Sequence, residues 1–124
     1  SAAEPARANL TINRIPRVIL VEEFWRTFGK SFDAPAVILP GTAITYTNRF
    51  GHGGSTAVTN VVIIDNLSDR LVNARDITTG SITSLDGSLT LGGVVATYDP
   101  VANRIVWSIP VVPPNFVGEL RFTA

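Results

Sequence analysis

Along residues 43–50 the side chains alternate, with Ile44, Tyr46, Asn48 and Phe50 on one side and Thr45, Thr47 and Arg49 on the other. A period of two marks a β-strand with one dry and one wet face. Residues 58–64 are richer in Val and Ile than a half-exposed strand needs, which predicts a strand near the middle of a sheet. Between them lies the glycine-rich connection 51–55, and the residues 65–69 after them form a predicted turn rich in side chains that bond their own backbone. Upstream, Leu10 and Ile12 alternate, Pro16 interrupts, and residues 18–21 are continuously apolar. A proline inside a strand pattern costs a ladder hydrogen bond, so this segment reads as an extended arm kinked near Pro16. Phe24, Arg26 and Phe28 then alternate with Trp25 and Thr27 as an aromatic strand, residues 29–35 read as a turn region, and 36–39 as a short strand. Downstream the pattern predicts strands over 71–77, 94–98, 104–109 and 116–123, with Trp107 in the core. It also predicts a hairpin turning at Asp86-Gly87 and a proline-rich crossing over 110–115. Many short strands with no helical period longer than a turn predict an all-β chain folded as a β-sandwich of about 7–9 strands.

An ordered set of pieces along this pattern resembles a known repeat: Pro40-Gly41, Thr45-Tyr46-Thr47, Asn48, Asn60-Val61-Val62, Asp65, Leu67, Trp107 and the closing residues 118–122. Together they are similar to the tandemly repeated extracellular domain of bacterial and archaeal surface proteins, a conserved repeat of unknown function. The resemblance covers residues 32–123 and implies an immunoglobulin-like fold and a life at the cell surface. The chain departs from the repeat where its last strand stops at Ala124 and where about thirty residues precede the matching region. The expected organisation is an N-terminal arm over 1–22 and an immunoglobulin-like sandwich over 23–124.

Composition narrows the function. Cysteine and methionine are absent, so the chain has no disulfide framework, thiolate nucleophile or soft-metal site. The start SAAEPA reads as the end left by a small-residue signal-peptidase cut, so a mature, secreted, extracellular chain is expected. Ten basic and ten acidic residues cancel with no long block of either sign, which argues against nucleic acid as a partner. No apolar run approaches the length of a membrane-spanning helix, so membrane insertion is not expected. With 45% hydrophobic and only 16% charged residues, surplus apolar surface is expected to meet another protein. Nine of the ten cations are arginine, and Lys30 is the single lysine. That bias suits fixed bidentate or stacking contacts, and genomic base composition explains it equally well.

Candidate chemistry is sparse. His52, the only histidine, has no histidine partner for a metal cage or for nucleophilic catalysis, and reads as part of a flexible exposed loop. Asp65, Asp69, Asp76, Asp86 and Asp99 lie near loop ends without the spacing of a calcium loop, and read as turn caps. No nucleophile elbow, phosphate loop or paired acid and base is present, so neither enzyme activity nor a metal or other cofactor is expected. Trp25, Trp107, Tyr46 and Tyr98 could stack a sugar, but each sits inside an alternating strand where burial is the default. Asn9 and Asn66 each head an N-x-S/T acceptor for glycosylation.

The arm remains as the distinctive feature. Folded back, it would be one more strand of its own sandwich. Donated to a neighbour, it would complete a sheet whose final strand stops at Ala124, through main-chain hydrogen bonds and alternating side chains in pockets. Leu10, Ile12, Ile15, Val18 and Leu20 would then be the inserted knobs. Such a head-to-tail contact does not close on itself and grows a homopolymer. The expected function is therefore a structural subunit of an extracellular filament or surface lattice. The alternative is a module of a larger adhesin, with cell-surface or glycan ligands at loops 51–55 and 78–91.

Overall fold

The computed structural model describes residues 9–12 and 27–33 as strand backbone and residues 43–67 and 71–124 in full. The described residues form eight strands: β1 (Asn9–Ile12), β2 (Thr27–Asp33), β3 (Thr45–Gly51), β4 (Val58–Asn66), β5 (Gly80–Thr83), β6 (Thr90–Asp99), β7 (Arg104–Val112) and β8 (Val117–Thr123). They make two sheets, ordered β1-β4-β7-β6-β5 and β2-β3-β8, with every pairing antiparallel. In the larger sheet the hairpin-connected β5, β6 and β7 are joined by β4 beside β7, which is a Greek-key arrangement. The sheets pack face to face as the expected all-β sandwich.

The alternation along each strand puts its apolar set inside. Tyr46, Phe50, Leu120 and Phe122 from the smaller sheet meet Val61, Ile63, Ile105, Trp107 and Ile109 from the larger one. Tyr46 stacks on Phe122 at 5.1 Å between ring centroids, and Trp107 meets Phe122 across the sandwich at 6.3 Å. The indole of Trp107 donates from Nε1 to the Thr78 carbonyl at 3.0 Å, so its one polar group is satisfied in the core. As the Val and Ile content predicts, β4 is an interior strand, held by β1 on one side and β7 on the other.

Several boundaries differ from the sequence reading, each for a local reason. Residues 29–33 are not a turn but the body of β2, paired from Gly29↔Arg49 to Asp33↔Thr45. Pairing with β3 defines this strand, in which the alternating Phe28 and Phe32 are parted by Lys30 and the remaining residues are small or polar. Asp65 and Asn66 extend β4 and pair with Ile105 and Arg104, where a turn was expected. Residues 71–77 form no regular strand, because Asn73 and Asp76 adopt left-handed backbone at φ 59° and 52°. A single bridge, Arg75↔Thr123, is what remains of the expected pairing. Residues 110–112 continue β7 instead of crossing. Pro110 is tolerated there because the ladders with β4 and β6 both skip it, so its missing N–H costs no pair. The expected strand over 36–39 and residues 24–26 lie outside the described residues.

Candidate functional site

The four sheet edges are not equivalent. On one side of the sandwich β5 and β8 are stitched together. Thr78 N donates to the Arg121 carbonyl and Leu85 N to the Val117 carbonyl, each at 2.9 Å. Arg121 N donates to Thr78 Oγ1, and Arg75 and Thr123 exchange backbone bonds at 2.8 and 2.9 Å. The strand that ends the chain is therefore not a vacant edge, since residues 75–85 already lie along it. The opposite side is formed by β1 and β2, and among the described residues no strand pairs beyond either.

At that side β1 lies on β4 of its own chain, in the register Asn9↔Ile64, Leu10↔Ile63, Thr11↔Val62 and Ile12↔Val61. The register sets Leu10 and Ile12 against Ile63 and Val61, which are fully buried, and Asn9 and Thr11 against Ile64 and Val62, which are half-buried. Of the arm's predicted knobs, these two are brought to the β4 edge, while Ile15, Val18 and Leu20 lie outside the described residues. The acceptor Asn9 falls in β1, and Asn66 is exposed at the end of β4. β1 spans four residues of a nine-residue partner. Four-residue ladders at a sheet edge open at modest cost compared with core strands.

A second feature lies in the core. Asn48 on β3 and Asp65 on β4 are both fully buried, and Asn48 Nδ2 donates to Asp65 Oδ2 at 3.0 Å across the two sheets. Asn48 Oδ1 has no hydrogen-bond partner among the described residues. An amide oxygen left so costs about 1–3 kcal/mol. Asn48 pairs with Lys30 on β2 and with Leu120 on β8. Sequence reasoning put Asn48 on the dry face but missed the cluster. The available signals were an amide in an apolar register, an acid closing a Val-Ile strand, and a lone lysine.

The remaining candidates are structural. His52 is not in a flexible exposed loop: it is 3% exposed, accepts from Gly54 N at Nδ1 (3.0 Å) and so donates from Nε2 to the Thr56 carbonyl (2.6 Å). It pins the glycine connection, and a methyl group at Gly54 would come within 2.7 Å of its ring. Asp86 and Asp99 cap turns as read, Asp99 accepting from Val101 N and Ala102 N. Asp76 is exposed, and Asp69 lies outside the described residues. Among the described residues no three His, Asp or Glu side chains gather as a metal site, and no helix is long and apolar enough to cross a membrane. Tyr46 and Trp107 are buried, and the half-buried Tyr98 spends its hydroxyl on Asn103 Oδ1 at 2.9 Å, so these three form no stacking platform. Trp25 lies outside the described residues.

Compared with protein-family models, curated proteins and solved structures, the chain finds no match, and its resemblance to the extracellular repeat rests on the residues quoted for it.

Proposed function

We propose that the chain is a structural subunit of an extracellular, cell-surface filament or lattice, polymerised head to tail by strand donation from the N-terminal arm. The observation that carries this reading is the asymmetry of the sandwich. One side is closed by its own hydrogen bonds, while the other is covered by a four-residue strand on the edge of the long, apolar β4. In the polymer the β1 of one copy takes the place on β4 that the next copy's own β1 holds in the isolated chain. Antiparallel main-chain bonds supply affinity, and Leu10 and Ile12 set the register opposite Ile63 and Val61. Electron microscopy of the intact protein at near-neutral pH, beside a version lacking the first 21 residues and a Leu10→Asp, Ile12→Asp variant, tests this. Regular filaments from the intact protein alone are expected. Dispersed particles from all three would refute the reading.

A second reading is the ligand- or glycan-binding module of a larger surface adhesin. It draws on the open, polar hollow lined by Thr78, Thr83, Ser84, Glu119 and Arg121 beside the β5–β6 hairpin. A glycan-binding screen separates the two readings, because strand donation needs no sugar.

A further inference from the structure

We propose that Lys30 and Asn48 are joined by an intramolecular isopeptide bond, formed with the help of Asp65. Three observations converge on it. Lys30 and Asn48 are direct partners in the antiparallel ladder of β2 and β3. Side chains at such positions start from Cβ atoms about 4.5–5.5 Å apart, a gap that a lysine stem spans. The carboxamide of Asn48 is fully buried and held by Asp65 Oδ2 at 3.0 Å, with its own oxygen left without a partner among the described residues. Lastly, Lys30 is the single lysine among ten cations, and a lysine differs from arginine in that burial readily strips its proton and makes it a nucleophile.

The chemistry balances without any added reagent. The Lys30 ammonium passes a proton to the Asp65 carboxylate, and the neutral Nζ attacks Cγ of Asn48, forming the new C–N bond. Asp65 returns its proton to Nδ2 along the hydrogen bond that group already makes, and the tetrahedral carbon expels Nδ2 as ammonia. Asp65 then takes the second proton that Nζ must shed, which leaves with the ammonia as ammonium. The sum is lysine ammonium plus carboxamide giving secondary amide plus ammonium, so the protein loses the mass of one ammonia. In water this exchange is very slow. Here the register sets the two residues opposite each other, which would replace a bimolecular encounter by a local one, and an apolar site favours the uncharged form of an amine. Phe50 and Tyr46 beside Asn48, Leu120 opposite it, and Ile105 opposite Asp65 are all buried and keep the site dry. The bond would tie the strand that follows the arm to the neighbouring strand of its sheet, whether or not the chain polymerises.

The test is the intact mass of the folded, full-length protein, followed by digestion. The expected mass is that of the sequence less one ammonia, with a joined peptide pair containing Lys30 and Asn48. A lysine-specific protease, which would cut the free chain once, should leave the denatured protein whole, and Lys30→Arg should restore the sequence mass. A folded chain at its full sequence mass, cleaved at Lys30, would overturn the proposal. So would loss of ammonia with no joined peptide, since that marks cyclisation of an Asn side chain alone. Asp65→Asn, with Asp65→Ala as a second variant should the first not fold, is expected at the sequence mass. Full linkage in either would remove Asp65 from the proton transfer.

Discussion

Asp86 organises the tip of the β5–β6 hairpin with one oxygen. Its Oδ1 accepts from Ser88 Oγ and Ser84 Oγ at 2.7 Å and from Ser88 N at 3.0 Å, while Gly87 beside it takes φ 78°. These bonds favour the ionised form, led by the Ser88 hydroxyl, and hold the carboxyl at about 2, below its ordinary 3.8. Because the folded value is the lower one, the turn's contribution to stability is complete above pH 3.8 and is lost as pH falls toward about 2. Amide exchange at Ser88 and Leu89 should therefore quicken across that window, and Asp86→Asn should flatten the response. The sequence made this turn legible, since Asp-Gly between alternating segments is a local signal. It did not reveal Asp65 or His52 as buried. Both sit among turn-forming neighbours, and what buries them is a partner far along the chain or a loop that folds back.

Strands were legible where the apolar rhythm is carried by the strand itself, as in β3, β4 and the middle of β7. They were illegible where a neighbour imposes the strand, as in β2, or where left-handed residues break it, as over 71–77. Thr78 shows how such an irregular segment earns its place. Its carbonyl accepts from the Trp107 indole in the larger sheet, while its N–H and hydroxyl bond the Arg121 backbone in the smaller one. Trp107→Phe keeps most of the apolar contact but leaves that part-buried carbonyl without its donor. It should lower unfolding stability by about 1–3 kcal/mol in denaturant melts. Larger loss would mean that the stitch between β5 and β8 fails with it. Within the candidate site, the alternation at Leu10 and Ile12 was readable, but which edge they meet was not, because strand order depends on contacts far apart in sequence.

At the scale of the molecule, donor and acceptor sit on the same edge: β1 covers the stretch of β4 that an incoming β1 would occupy. Under the proposed polymerisation an isolated subunit must first release its own strand. Filament elongation followed by light scattering should then level off at high subunit concentration, where release sets the pace. A rate rising in proportion throughout would argue against a self-paired resting subunit. If the chain polymerises in this way, self-pairing would also work as a safety catch. Under that proposal, a copy that satisfies its own edge would be inert while dilute and present no sticky strand before it meets a fibre. It would commit to growth only where a fibre end holds a neighbour's arm at high local concentration. Polymerisation of this kind is slow to start, quick to extend, and needs no separate protein to guard the subunit beforehand.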